Sequence, residues 1–301
     1  GPTASGKTRI SLELAKDFNI EIISADSRQI FKYINIGTAK PTKEELNIVP
    51  HHFIDSLELD EYYSAGIFEK DAEEIIDEIF NRGRIPLITG GTGLYIKALC
   101  EGIFDDNEKD ENLTIRKELQ EILEKEGKEV LYDKLLEIDP VAAKKYDDKN
   151  PRRVMRALEY YYSKGKKISD AHIQSIKEKK FKTIYFGVQK PKEQLYDIIN
   201  ERVLKMWDDG LERETRNILE MGYSETLNSL QTVGYRETLS FIKGNITKEE
   251  AIYLIQRNTR RYAKRQMTWF RSMENIIWIE NKDDIIKYLK QIVSRETLED
   301  E

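Results

Sequence analysis

The chain opens on Gly1-Pro2-Thr3-Ala4-Ser5-Gly6-Lys7-Thr8, with glycine at the first and sixth places and Lys-Thr at the end. That spacing, G-x-x-x-x-G-K-[ST], is the phosphate-binding loop pattern. Glycines let backbone N–H groups curl around phosphate oxygens, and the helix that follows turns its positive end toward the anion. Lys7 supplies a point charge, and the Thr8 hydroxyl is a candidate Mg2+ ligand. The plain alternative is a glycine-rich turn with no ligand. The strand that normally precedes such a loop would lie before Gly1, outside this sequence.

Asp26-Ser27 directly follows an Ile-rich run at 21–25. A carboxylate at the C-terminal end of a parallel strand points into the ligand crevice. In a nucleotide hydrolase it would be a magnesium ligand, in a transferase a general base, and in neither a helix cap or surface Asp. Gly90-Gly91-Thr92-Gly93 follows a second run, IPLIT at 85–89, in the same way. Glycines there permit close approach of the backbone to a ligand or to a neighbouring strand.

Cations are unevenly spread. Ala251–Met273 contains no Asp or Glu, yet holds Arg257, Arg260, Arg261, Lys264, Arg265 and Arg271, interleaved with Tyr262, Trp269 and Phe270. Arg152, Arg153 and Arg156 form a second cluster. Guanidinium forks suit phosphates, and aromatic rings stack on bases. The alternatives are a solvated helix face, or arginines serving the diphosphate of a small ligand. His51, His52 and His172 are not spaced as a metal set. His51-His52 reads as packing and hydrogen bonding at a strand edge, and Met206, Trp207 and Leu211 read as core.

The elements that must position these groups are legible as periodicities. EIISA at 21–25, IPLIT at 85–89, IYFGV at 184–188 and IIWI at 276–279 read as short buried strands. Between the first two, 65–82 reads as an amphipathic helix stopped by Gly83. Alternating strands and helices predict a parallel sheet flanked by helices. From 109 to 181 no strand is expected. Helices are predicted over 114–126, 128–138, 151–163 and 169–180, with Asn150-Pro151 as a cap and a proline at the first helical position. Residues 192–271 read as mostly helical, broken at Gly210, Gly222, Gly234 and Gly244, and 283–294 as a last amphipathic helix. The fold expected is thus α/β, a phosphate-loop NTPase-like core (1–108 and 182–301) with an all-helical insertion domain (109–181).

Composition narrows the class. The 301 residues are 39% hydrophobic and 35% charged, with formal net charge −6. Such a length buries enough surface to fold without staples. Cys100 is the only cysteine, which excludes an intramolecular disulfide and cysteine-rich zinc sites. No run of 18 apolar residues occurs and no signal peptide is read, so a transmembrane helix is not expected, and a lone cysteine is compatible with a reducing cytosol. The net negative charge argues against nucleic acid until the cationic strip is weighed, and the strip is the sharper clue.

Taken together, GPTASGKT (1–8), ADSRQIF (25–31), NIGTAKPT (35–42), HHFID (51–55), GGTGLYIKAL (90–99), NPRRVMRALEYY (150–161), VGYRE (233–237) and RRYAKRQMTWFR (260–271) resemble the tRNA dimethylallyltransferases of bacterial type. The blocks run in order along nearly the whole chain. The phosphate loop is shared with many enzymes, whereas its combination with D-S-x-Q, G-T-A-K-P and K-R-Q-x-T-W-F-R is far more specific. Asn35 stands where the family commonly has Asp and is not taken as catalytic. No cysteine–histidine finger of the kind eukaryotic relatives often carry is present.

The resemblance implies transfer of a dimethylallyl group from dimethylallyl diphosphate to N6 of the adenosine 3′-adjacent to the anticodon. The loop alone would have pointed to ATP. By resemblance, Gly1, Pro2, Thr3, Ala4, Ser5, Gly6, Lys7 and Thr8 bind the donor's diphosphate. Lys7, Thr8, Arg202, the backbone N–H groups of 3–8 and Mg2+ stabilise it, Thr3 sits near its bridging oxygen, and Asp26 is the base. Contacts to tRNA are implied for Asp26, Ser27, Arg28, Gln29, Thr92, Arg116, Arg152, Arg153, Val154, Met155, Arg156, Gln231, Thr232, Val233, Gly234, Tyr235 and Arg236. The same holds for Lys264, Arg265, Gln266, Met267, Thr268, Trp269, Phe270 and Arg271. The helical insertion would hold the anticodon stem, and the enzyme would act as a monomer, with no membrane partner. Rival readings are an adenylate isopentenyltransferase acting on free nucleotides, a small-molecule kinase and a non-catalytic RNA-binding module.

Overall fold

The computed structural model describes residues 1–102, 113–174 and 181–299. They form two compact units: Gly1–Tyr63 with Asp71–Ile96 and Lys182–Glu301, and Ser64–Lys70 with Lys97–Phe181.

In the first unit the phosphate-loop residues lead into helix α1 (Lys7–Leu14), then strand β1 (Ile20–Ala25). The one-turn helix α2 (Lys43–Leu46) and the two-residue strand β2 (His51–His52) follow. Helix α3 spans Ala65–Asn81 and ends where Gly83 takes a φ of 66°, after which strand β3 runs Ile85–Gly90. Helix α4 is Gly93–Glu101; its residues from Lys97, and those of α3 up to Lys70, belong to the second unit. Strands β2, β1 and β3 pair in that order, all parallel, with Ile22 opposite His51 and Leu87, and Ala25 opposite Gly90. β1 is buried along its whole length, as a central parallel strand must be.

The fully buried Glu21 on β1 accepts from Arg82 at 3.0 and 2.9 Å, from Arg84 at 3.3 Å, and pairs with His52 Nε2 at 2.7 Å. The Arg82 hydrogen bonds pull its pKa down to about 2, against the upward push of burial. This cluster pins β2 to β1, and places His52 at the strand edge that its sequence suggested. His51 Nδ1 lies 2.8 Å from the Val49 carbonyl. The side chain of His172 lies outside the described residues.

The second unit is helical: α5 (Leu113–Glu126), α6 (Lys128–Ile138), α7 (Pro140–Lys145), α8 (Pro151–Lys164) and α9 (Ile168–Gln174). No strand falls between 97 and 181 among the described residues. The last part of the helix expected over 169–180 lies outside them. Leu119, Leu131, Leu135, Val154, Leu158 and Ile168 form the shared core. Asn150 caps α8 by accepting from Arg152 N, and Gly165 closes it in the left-handed conformation.

The chain returns to the first unit with β4 (Tyr185–Val188), α10 (Lys192–Asp208), α11 (Leu211–Glu220), α12 (Tyr235–Ile242), α13 (Lys248–Arg271), β5 (Ile276–Ile279) and α14 (Lys282–Glu299). β4 and β5 make a second parallel pair, Tyr185 opposite Ile276. The single sheet expected is therefore two parallel patches. Gly1 lies beside the end of one, since a Cβ there would fall 2.7 Å from the Val188 carbonyl oxygen. Ile10, Leu14, Ile22, Val188, Ile279 and Ile285 join both patches to α1 and α14 in one core. A second core gathers Ile30, Ile34, Val203, Trp207, Leu211 and Tyr235, so Trp207 and Leu211 are buried as expected, with Met206 packed against them. Gly210, Gly222, Gly234 and Gly244 all take positive φ at the helix breaks. No helix among the described residues is long and apolar enough to cross a membrane.

Candidate active site

The phosphate-loop residues coil tightly. Gly6 sits at φ 96° at the N-cap of α1, and no side chain caps that helix. The N–H groups of its first turn thus keep their partial positive charge for an anion. Ala4 also takes a positive φ, 62°, a strained conformation for a residue with a Cβ. Lys7 folds back over the loop and donates from Nζ to the carbonyls of Gly1 (2.9 Å) and Pro2 (2.6 Å). Burial pushes its pKa down to about 8, with Asp26 pulling it up and Arg202 pushing it further down. Arg202, on α10, is likewise lowered by burial and held up by Asp26. Two cations and one carboxylate therefore share one field at the loop.

Asp26 follows the last residue of β1. Its Oδ1 accepts from the backbone N–H of Arg28 (2.9 Å) and Gln29 (3.3 Å), an Asx turn that fixes the carboxylate. Gln29 extends the brace by donating to the carbonyls of Thr38 (3.1 Å) and Ala39 (3.2 Å). Arg28 donates to the carbonyl (3.0 Å) and Oδ1 (3.0 Å) of Asn228. Its pKa is lowered by burial, against the fields of Tyr95, Asp26 and Tyr262. Tyr262 is raised to about 12, by burial first and by Asp26 second, so it is a neutral phenol at physiological pH. Tyr95 is raised for the same leading reason. Tyr95 does not stand out in the sequence as a site residue, and Tyr262 does so only as an aromatic residue interleaved with the cations. Tyr95 lies inside the GGTGLYIKAL block and Tyr262 inside the cationic strip, which are the only signals that point to them.

The glycines after β3 serve close packing. A Cβ on Gly90 would fall 2.0 Å from the Ala25 carbonyl oxygen, one on Gly91 2.3 Å from Gln266 Nε2, and one on Gly93 2.2 Å from the Trp269 ring. Thr92 joins this turn to the end of β1, accepting from Ser27 N at 3.0 Å and donating its own N–H to Ala25 O at 3.1 Å.

The long helix α13 has two faces. Lys264, Arg265, Thr268, Trp269 and Arg271 are exposed, while Ala263, Gln266 and Phe270 are buried. Arg265 lies over Tyr262 at 5.7 Å, and Met267 is half-buried. Gln266 accepts from the backbone N–H of Thr3 (2.8 Å) and donates to Gly91 O (2.8 Å). Of the loop N–H groups expected to face the diphosphate, that of Thr3 donates to this side chain and that of Ser5 to the Pro2 carbonyl at 3.4 Å. Gln266 and Phe270 are buried within the protein.

Elsewhere the expected tRNA residues divide in the same way. Gln231 and Arg236 are exposed and Thr232 and Val233 half-buried. Gly234 and Tyr235 are buried, and Tyr235 receives the N–H of Gly37 at 3.1 Å while donating to Glu214. In the helical unit Arg152 and Arg153 are exposed, and Arg153 pairs with Asp148 at 3.3 Å. Exposed Arg116 lies 3.5 Å from the buried Glu159, whose pKa burial raises. Arg156 is half-buried, and Val154 and Met155 are core. Side-chain contacts of Val154, Met155, Tyr235, Gln266 and Phe270 are thus with the protein itself, because each sits on the apolar or buried stripe of its helix.

Two observations test the fit of the loop to a phosphate group. Ser5 Oγ is the one fully buried side-chain polar atom without a partner among the described residues, a donor that a ligand oxygen would satisfy. No group of three or more His, Cys, Asp or Glu able to hold a metal occurs among the described residues. A magnesium ion here would depend on Thr8 and the ligand's own oxygens, which is ordinary for Mg2+ bound with phosphates.

The family model described as IPP transferase matches residues 29–273. The tRNA dimethylallyltransferase of Thermotoga neapolitana is 43% identical over 297 residues, covering 97% of this chain and 96% of that protein. That of Acetivibrio thermocellus is 46% identical, covering 96% and 94%. Among solved structures, the tRNA isopentenylpyrophosphate transferase of Bacillus halodurans superposes with a TM-score of 0.70 at 39% identity, covering 99% of this chain and 95% of that one. A eukaryotic dimethylallyltransferase acting on tRNA reaches a TM-score of 0.76 at 30% identity, covering 93% and 72%.

Proposed function

The chain belongs to the IPP transferase family and is a prenyltransferase acting on tRNA, and we propose that it uses the phosphate loop to hold dimethylallyl diphosphate and Asp26 to accept the proton of the attacking amine. The observation that carries this is the shared field of Lys7, Arg202 and Asp26 at the loop. It supports the reading because two cations suit the charge of a leaving diphosphate and a carboxylate suits the proton of a nucleophile.

The exocyclic amine of adenine is a weak nucleophile, because its lone pair is delocalised into the ring. The allylic donor compensates, since positive charge at its C1 is resonance-stabilised. In the transfer the bond between C1 and the bridging oxygen breaks, the bond between N6 and C1 forms, and the N6 proton passes to Asp26. Lys7, Arg202, the N–H groups of Ala4 and of residues 6–8, and Ser5 Oγ take up the charge of the departing diphosphate. Mg2+, held by the Thr8 hydroxyl, would neutralise part of that charge. The side chain of Thr3, whose backbone Gln266 holds, would face the bridging oxygen. The Asx turn matters because it fixes one carboxylate oxygen and aims the other.

The target adenosine must leave its stack to reach Asp26. We assign the exposed cations of α13 and Arg236 to the RNA backbone around it, and Arg116, Arg152 and Arg153 of the helical unit to the anticodon stem, whose recognition is mostly through backbone and shape. The enzyme is proposed to work as a monomer in the cytoplasm.

The test is transfer of label from dimethylallyl diphosphate, with Mg2+, to an anticodon stem-loop and separately to AMP. Label should enter the RNA alone. Asp26→Ala should cut turnover by roughly 10²–10⁴. Rescue of that variant by excess Mg2+ would make Asp26 a metal ligand instead of a base, and label in AMP alone would remove the tRNA assignment.

A further inference from the structure

Gln266 stands apart from its neighbours on α13. The residues beside it, Lys264, Arg265, Thr268 and Trp269, face solvent, whereas Gln266 is 6% exposed. Both ends of its amide are engaged, and with two different parts of the site. The carbonyl end receives the Thr3 N–H at 2.8 Å and the amino end reaches the Gly91 carbonyl at 2.8 Å. A planar amide donates at one end and accepts at the other, so one side chain can bridge an N–H and a carbonyl. The Gly91 side is built around it: a Cβ there would come within 2.3 Å of Nε2 and meets no other atom closer than the amide's own carbon at 3.5 Å.

We infer that Gln266 is a positioning residue for the transfer reaction, a clamp that fixes the phosphate loop at Thr3 against the Gly91 turn. This holds only if the loop is the donor site, as proposed above. Its effect follows from what Thr3 would otherwise do. A loop N–H left without a partner would compete for the anion or for water, and the loop would be free to shift along α1. With the clamp in place the Thr3 backbone is held from outside, and the N–H groups of Ala4 and of residues 6–8 are left for the diphosphate. The clamp is carried by the same helix whose opposite face presents Lys264 and Arg265. The element that meets the RNA is thereby bonded to the element that holds the donor.

A direct RNA contact by Gln266 and a clamp differ in what they change. Gln266→Met keeps the length and removes both hydrogen bonds. Gly91→Ala leaves Gln266 in place and displaces its amide by sterics. For either variant the clamp predicts a fall in kcat of roughly a hundredfold, the scale of a 1 Å misplacement. It also predicts weaker binding of inorganic pyrophosphate with Mg2+, by roughly tenfold, and an anticodon stem-loop KM within about threefold of the parent. The double variant should fall no further than the worse single one, because both remove one interaction.

A raised RNA KM with unchanged pyrophosphate binding would overturn the clamp in favour of RNA contact, and so would losses that add in the double variant. Thermal unfolding of each variant is measured alongside. If Gln266→Met does not fold, the same split is read on Gly91→Ala alone. Were the parent protein inactive in transfer but able to bind pyrophosphate, the tRNA assignment would fail while the clamp is still decided by the pyrophosphate comparison.

Discussion

Lys7 shows how a side chain and its surroundings set a working range. Burial holds its pKa at about 8, so in the empty site its charge is present below that pH and is lost as pH rises through it. A diphosphate needs the charged form. Donor affinity should therefore be level from pH 6.5 to 7.5 and decline between pH 8 and 9, read as kcat/KM for the donor, which reports groups of the free enzyme. Lys7→Arg keeps a cation that does not titrate in this range; its activity would be lower from altered geometry, but the decline near pH 8 should vanish. A decline that persists in Lys7→Arg would move the titration to another group. The loop and Asp26 were legible in the sequence because the chemistry dictates their residue types and close spacing. The partner of Thr3 was not, since Gln266 lies 263 residues away and nothing local in K-R-Q-M-T says that its glutamine points inward while its neighbours point out.

Elements divide by length. The runs at 21–25, 85–89, 184–188 and 276–279 were read within a residue of the strands found, because Ile-rich segments bounded by polar residues carry their own signal. The two-residue β2 was read only as a strand edge at His51-His52, and the short helices α2 and α7 were not read, because a turn or two of helix has little periodicity. For α7 a signal was present in Asp139-Pro140, an N-cap followed by proline. The structure gives that aspartate a double task. It is 1% exposed, with Oδ1 accepting from Ala142 N at 3.0 Å and Oδ2 from Ser169 N at 3.0 Å, so it caps α7 and ties down the start of α9. Burial alone would raise its pKa, but these backbone donors hold it below the ordinary 3.8. The stabilisation is hence complete above that value and is lost as pH falls below it. Asp139→Ala should cost roughly 1–4 kcal/mol, as two caps removed together, seen as a lower unfolding midpoint at pH 7. The gap between variant and parent should narrow at pH 3. A gap that stays constant with pH would mean the carboxylate charge plays no part.

At the scale of the whole molecule, the contrast between a net charge of −6 and a cationic strip makes RNA binding a matter of where charge is placed. The acidic remainder repels a polyanion from most of the surface and leaves few places for it to settle. The sequence showed that strip but not its facing. Folded, α13 turns Gln266 and Phe270 inward and leaves Lys264, Arg265 and Arg271 outside, which separates groups that can release counterions from groups that cannot. Each exposed cation seated on a phosphate should contribute about 0.7–0.9 to the slope of log K against log salt. Arg265→Gln should therefore weaken stem-loop binding at low salt and make the slope shallower by about that amount. Arg153→Gln should do so less, because Arg153 is already partly neutralised by Asp148 at 3.3 Å, and an RNA phosphate must compete with that carboxylate. Pyrophosphate binding should be the same in both variants, since neither side chain bonds to the phosphate loop. An unchanged salt slope in Arg265→Gln would take the exposed face of α13 out of the RNA interface, and a larger effect from Arg153 than from Arg265 would make the helical unit the main electrostatic anchor.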